Sequence, residues 1–265
     1  MIPKIIHYVW IGEKPKPELV LRCIESWKKF LPDYAIVEWD NIAMAHLKNS
    51  YAISAYENKK WAFVSDYIRL YALYTQGGIY LDSDVEITNN LDNFLELDFF
   101  TGFENYQGKI SPITAVMGAT AKNETIHDML KAYDSMSFDG QLVTNTVTIT
   151  EYFKSKFNLH PNNSGANEIH LKNKEIIFPY FYFCTPEHGL TNYSIHHFNG
   201  SWLPEFTRKK VIFRFLGLNV ILLKRNKKYS SKLLIFKNEL LLIKVAISKK
   251  TSFAVIYERS PQHKS

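Results

Sequence analysis

Residues 63–87 read FVSDYIRLYALYTQGGIYLDSDVEI. Trp61, Val64, Ile68, Tyr71 and Ala72 recur at helical spacing, so a helix with one apolar stripe is expected over about residues 58–75. Gly77-Gly78 then supplies the left-handed stop that ends a helix. Ile79, Tyr80 and Leu81 follow as a short strand, and the strand runs out into Asp82-Ser83-Asp84. Asp66 and Arg69 lie off the apolar stripe, three residues apart and within reach of one another.

The flanking sequence repeats the alternation. Residues 4–10 read as a strand with Ile5, His7 and Val9 on one face and Ile6, Tyr8 and Trp10 on the other. A helix over 17–30 and a strand over 35–39 complete the opening of a βαβ sheet. Further strands are expected at 78–81, 99–103, 115–119 and 175–179, and helices at 126–135 and 145–157. A loop rich in Asn, Pro and Gly covers 160–167, and a polar, aromatic loop covers 191–202. The fold class is α/β.

The chain has 265 residues, enough for one well-buried domain with a small appendage, and its 46% apolar and 15% aromatic content excludes a disordered chain. The net charge of +6 hides an asymmetry. Residues 1–206 hold 17 Lys+Arg against 24 Asp+Glu, net −7; residues 207–265 hold 15 against 2, net +13. We therefore expect a main domain over 1–206 and a basic C-terminal segment over 207–265. In that segment basic residues interleave with apolar runs, the composition of an amphipathic helical element on an anionic membrane face, or of a basic helical hairpin packed on the core. Its longest apolar run, 211–223, is broken by Arg214 and Asn219 and is too short to span a bilayer. No nucleic-acid-binding motif accompanies the charge. Cys23 and Cys184 give no disulfide framework, and Met1 leads into a strand without a signal-like apolar region, so a cytoplasmic location is expected.

Asp82 and Asp84, two residues apart at a strand end, are expected to present hard oxygen ligands together, a pair suited to Mg²⁺ or Mn²⁺. Two carboxylates leave coordination positions for water and for the oxygens of a pyrophosphate, whose departure such an ion assists. A bare Asp-x-Asp occurs about once by chance in a chain of this length, so its neighbours must give it meaning. Taken singly those neighbours are ordinary: Trp10 and Tyr80 read as core, Asp66 with Arg69 as a surface pair, and His196-His197 as a hydrogen-bonded loop pair.

Three segments change that reading. IPKIIHYVWIG at the start, AFVSDYIRLYALYTQGGIYLDSDVEI in the middle and SIHHFNGSW near the end stand in the order seen in glycosyltransferase family 32, which the chain resembles over about residues 2–204. That family is also similar to the glucosyltransferase domains of clostridial toxins. The resemblance implies a GT-A fold, a nucleotide-sugar donor with UDP by analogy, a divalent cation, and retention of anomeric configuration. By the same resemblance, Trp10 stacks on the base, Tyr80 lines the nucleotide pocket, and Asp66 and Arg69 hold hydroxyls of the donor sugar. Asp84 is similar to the direct metal ligand, and Asp82 to its water-bridged neighbour that touches the ribose or sugar. His197, five residues before Trp202, takes the place of a third metal ligand in preference to His196, and Ser201 with Trp202 contacts the diphosphate. Asn145 falls near the acceptor or donor sugar, although the family often carries Pro where this chain has Thr146.

The resulting expectation is a metal-dependent retaining glycosyltransferase acting on a glycan or lipid-linked acceptor in capsule, O-antigen or lipooligosaccharide synthesis. Its basic tail would rest on the anionic inner membrane surface. Two other classes are a toxin-like protein-modifying transferase and a non-catalytic sugar-binding module.

Overall fold

The computed structural model describes residues 1–106, 109–136, 138, 145–159, 165–172 and 174–199, together with the backbone of four strands between residues 210 and 259. The chain divides into two compact units, Met1–Phe198 and Asn199–Ser265.

The first unit opens with β1 (Ile5–Val9), α1 (Glu18–Phe30) and β2 (Ala35–Trp39), followed by α2 (Asn41–Ala45), α3 (Ser50–Glu57) and α4 (Trp61–Gln76). Then come β3 (Gly78–Leu81), β4 (Val85–Ile87), β5 (Phe99–Tyr106), β6 (Lys109–Ala119), α5 (Glu124–Ala132) and α6 (Asn145–Phe157). The unit closes with β7 (Ile169–Lys172), β8 (Glu175–Phe178), α7 (Tyr180–Phe183) and β9 (Ser194–His196). Seven of these strands form one sheet in the order β2-β1-β3-β6-β5-β8-β7. β1 is parallel to β2 and β3, and β5 to β8, whereas β6 and β7 run against their neighbours. The α/β class expected from the sequence is the one observed.

The sheet buries both faces, as parallel strands require. Residue parity decides which side each side chain enters. Val9 and Tyr80 join the core beneath α4, with Val64, Ile68 and Leu70. Ile6, Tyr8, Ile79 and Leu81 join the opposite core, where Trp27 of α1 is fully buried. Gly77 caps α4, donating its N–H to the Leu73 carbonyl at 2.9 Å. Gly77 and Gly78 have φ of +69° and +111°, and a Cβ on Gly78 would stand 2.7 Å from the Ile5 carbonyl oxygen. Only glycine allows the chain to turn from α4 straight into β3 against β1.

His7 lies at this junction with no solvent exposure. Its Nε2 is 2.8 Å from the Gly77 carbonyl, and its Nδ1 accepts from Trp39 Nε1 at 3.2 Å, an arrangement that assigns the proton to Nε2 of a neutral ring. Burial lowers its pKa, against the Gly77 hydrogen bond. The folded state therefore binds this proton less readily than the unfolded chain, and stability falls as pH drops below the unfolded value near 6.5. His7→Gln is expected to flatten the slope of melting temperature against pH between about 5 and 7; an unchanged slope contradicts a neutral His7.

The second unit corrects one expectation. The tail is not helical where it is described: β10 (Lys210–Phe215), β11 (Leu218–Lys224), β12 (Leu240–Ile243) and β13 (Phe253–Arg259) form an antiparallel sheet in the order β10-β11-β13-β12. These runs are four to seven residues long and rich in Val, Ile and Phe. Such short β-branched and aromatic runs suit strands; the basic-apolar interleaving that suggested helices is compatible with either periodicity.

Candidate active site

The site is built at the carboxyl ends of β1 and β3, where open α/β sheets present their ligand crevices. His7 pairs with Tyr80 in the β1–β3 register, so the two strands run out side by side toward Trp10 and Asp82. Past β3 the backbone turns: Asp82 N–H donates to the Ala115 carbonyl at 2.8 Å, and Val85 N–H donates back to the Asp82 carbonyl at 2.9 Å. Asp82 and Asp84 thus belong to a tight turn between β3 and β4, not to one extended strand end as the sequence suggested. The turn brings both carboxylates together with His196, their ligand atoms lying within 4.8 Å of one another.

His196, not His197, joins this cluster. β9 pairs antiparallel with β4, Val85 opposite His196, and successive residues at a strand end face opposite ways. His196 Nε2 is 3.5 Å from Asp84 Oδ1, whereas His197 Nε2 turns to Glu86 Oε2 at 2.8 Å. The spacing to Trp202 favoured His197, but spacing carries no information on strand parity. Ser201 and Trp202 lie outside the described residues.

A second cluster adjoins the first. Asp66 Oδ1 accepts from Arg69 Nη2 at 2.9 Å and from Asn145 Nδ2 at 3.0 Å. Arg69 Nη1 donates to the carbonyl and hydroxyl of Thr114 at 2.9 and 2.7 Å, and Nη2 to Ser65 Oγ at 3.2 Å. Nη2 also stands 3.3 Å from Asp82 Oδ1, which accepts the Tyr80 hydroxyl at 2.8 Å. The guanidinium lies over the Tyr80 ring, 4.8 Å from its centroid. Asp66 and Arg69 are therefore a buried pair, not a surface one, because α6 and β6 cover the face of α4 that carries them. Thr114, which holds Arg69, lies outside the segments quoted from the sequence; Ser65 lies within the middle one, one turn ahead of Arg69, but was not singled out.

One guanidinium serves two carboxylates, and the site's electrostatics follow from that. Burial raises the Asp66 pKa to about 7, against the pull of Arg69 and Asn145 and with a further push from Asp82. Burial opposes the charge on Arg69 as well, but Asp82, Tyr80, Asp66 and Tyr133 together outweigh it and the group stays a cation. Tyr80 is held neutral, chiefly by burial, and serves as a donor. Because the folded state takes up the Asp66 proton more readily than the unfolded chain, Asp66 disfavours folding increasingly as pH rises from about 4 through 7. Activity that needs the ionised carboxylate shows an acid limb in kcat/KM with an apparent pKa near 7; a limb below 5 contradicts this assignment.

Two buried polar atoms lack a hydrogen-bond partner among the described residues, Asn145 Oδ1 and His196 Nδ1. Unpaired atoms of this kind are uncommon in folded proteins and call for a water, an ion or a ligand as partner. Burial disfavours the charged form of His196, but the hydrogen bonds to Asp84 and Cys184 and the charges of Asp84 and Asp82 together outweigh it and raise the pKa to about 10. Two carboxylates and an imidazole fit a divalent cation, which would displace that proton. Trp10 stands at the exit of β1, half-buried, with Nε1 donating to the Lys14 carbonyl at 3.1 Å and Lys16 Nζ 5.9 Å from its ring centroid.

Residues 17–100 match the family model described as the glycosyltransferase sugar-binding region containing the DXD motif, the segment that contains Asp66, Arg69, Tyr80, Asp82 and Asp84. The chain is a glycosyltransferase that carries this DXD region. It is 29% identical to an uncharacterized glycosyltransferase of Acanthamoeba polyphaga mimivirus over 229 residues, 80% of this chain and 88% of that protein. It is also 34% identical, over 98 residues, to inositol phosphoceramide mannosyltransferase 3 of Schizosaccharomyces pombe, a match spanning 36% of this chain and 27% of that one. Among solved structures it is similar to the PaToxG glycosyltransferase, with a TM-score of 0.47 at 20% identity over 59% of this chain and 70% of that one. A glycosyltransferase involved in the glycosylation of the major capsid of PBCV-1 is similar with a TM-score of 0.44 at 13% identity, covering 74% and 94% of the two chains. Asp66, Arg69, Tyr80, Asp82 and Asp84 of this glycosyltransferase, all within the matched span, lie beside one another in the α/β unit.

Proposed function

We propose that this glycosyltransferase moves a sugar from a UDP-sugar to a glycan or lipid-linked saccharide with retention of configuration, using Mn²⁺ or Mg²⁺ held by Asp82, Asp84 and His196. The observation that carries this reading is the convergence of those three groups beside the Asp66–Arg69–Asn145 network, with a buried unpaired atom in each cluster. A bound cation would neutralise the charge that grows on the departing diphosphate.

Within the network, Asn145 Oδ1 accepts a hydroxyl of the donor sugar, and Asp66 and Arg69 orient the ring. Fixed donors and acceptors in a buried site need no reorganisation as charge develops. Asp66 and Asp82 are already engaged by Arg69, Asn145 and Tyr80, which disfavours either as a covalent nucleophile. We therefore favour same-face attack: the bond from the anomeric carbon to the phosphate oxygen breaks, the acceptor oxygen bonds to that carbon, and its proton passes to the leaving phosphate. Trapping a glycosyl adduct on a side chain would overturn this. Trp10 stacks on the base and Tyr80 lines the nucleotide pocket.

No helix among the described residues is long and apolar enough to cross a membrane. The tail's net +13 supports contact with an anionic leaflet at the inner face of the cell membrane, where a lipid-linked capsule or lipooligosaccharide acceptor would be presented. The full chain is expected to sediment with phosphatidylglycerol vesicles at low salt and to be released at high salt; salt-insensitive or absent binding counts against the tail's role. Calorimetry with UDP and GDP in the presence of Mn²⁺ tests the nucleotide, with UDP expected to bind at least tenfold more tightly. Equal or inverted affinities overturn that choice.

A further inference from the structure

We propose that Glu86 and His197 form a positioning clamp that fixes His196 against Asp84. The proposal rests on the metal site assigned above and concerns residues that do not themselves bind the metal. A histidine ligand is ordinarily oriented by a hydrogen bond at its other ring nitrogen. His196 has no such oxygen partner among the described residues: its Nδ1 is buried without a regular hydrogen bond, and the Cys184 thiol is only a weak partner for the ring. Something else must hold the ring.

The strand carrying it offers little by itself. β4 and β9 make a two-stranded ribbon, outside the main sheet, with three paired positions from Val85–His196 to Ile87–Ser194. His196 is at its end, where a short ribbon frays first. Three contacts close that end. His196 N–H donates to the Cys184 carbonyl at 3.0 Å, and His197 N–H to the Asp84 carbonyl at 3.1 Å. The side-chain bond between His197 Nε2 and Glu86 Oε2, at 2.8 Å, then ties the residue after the ligand to the strand that begins just after Asp84. Beyond it Phe198 takes a left-handed backbone with φ of 48°, and its ring lies 4.2 Å from the His196 ring. A non-glycine residue held in that region is costly and persists only where its surroundings fix it. Glu86 and His197 thus grip one side of the ribbon while His196 is presented on the other.

The clamp is partly exposed, with 37% of the Glu86 side chain and 26% of the His197 side chain accessible, so its loss need not unfold the chain. The test is titration of the full chain with Mn²⁺ alone, followed by calorimetry or electron paramagnetic resonance. Glu86→Ala and His197→Ala are each expected to weaken Mn²⁺ binding about tenfold, the size usual for supports of metal ligands. The double variant should be no weaker than either single one, because the two act as a unit. Glu86→Gln, which keeps an acceptor for the ring, should restore most of the affinity, and His196→Ala should remove binding altogether. Excess Mn²⁺ should return kcat in Glu86→Ala to near its original value. Affinity within twofold of the original in both alanine variants overturns the clamp and leaves the metal site standing. Loss of binding in His197→Ala with none in His196→Ala makes His197 the ligand and overturns it too. If the unmodified chain binds neither Mn²⁺ nor Mg²⁺, the metal reading itself fails and the clamp falls with it.

Discussion

Asp84→Ala is expected to lower kcat about a thousandfold and to leave the fold intact. The backbone of Asp84 remains available to accept the His197 N–H and the turn stays closed by Asp82 and Val85, so the substitution removes the ion pair with His196 but not the turn. What is lost is one of the three groups proposed to hold the cation. Charge neutralisation by a bound ion contributes several kcal/mol to a reaction that expels a diphosphate, and about 4 kcal/mol corresponds to a factor of a thousand. The check is turnover at saturating donor beside a Mn²⁺ titration and a thermal melt. Activity within tenfold of the unmodified enzyme would mean that the cluster is not the metal site.

Arg69→Ala is expected to cost about 3–5 kcal/mol of stability, because it strips the shared cation from Asp66 and Asp82 and leaves buried charge unpaired. For a domain of this size the melting temperature should fall by roughly 10 °C. The loss should shrink toward pH 5, where an abandoned Asp66 takes up a proton without penalty. Arg69→Lys keeps the charge but not the fork that reaches Thr114, Ser65 and Asp66 at once, so it should fall between the two and still lose donor orientation. A melt unchanged within 2 °C in Arg69→Ala would show that the buried pair is not held as described.

Much of this was legible in the sequence, for identifiable reasons. The α4–β3 junction could be read because Gly77-Gly78 admits a single outcome, a helix stop followed at once by a strand. Asp66 and Arg69 could be paired from their spacing on α4, but not placed, since burial came from α6 and β6, elements remote in the chain. Thr114 was invisible for the same cause: its role exists only because β6 lies beside β3. The choice between His196 and His197 depended on the phase of a three-residue strand, and one residue of phase reverses every side chain. The tail went wrong where apolar runs too short to fix a period were read by their charge.

Release of nucleotide from UDP- and GDP-sugars by the purified chain, with Mn²⁺ and then with EDTA, tests the central claim most directly. Metal-dependent release from one donor, abolished by EDTA and in Asp84→Ala, is the result expected of a metal-dependent glycosyltransferase with this site. Release that persists in EDTA, or no release from any donor together with no nucleotide binding, would contradict it.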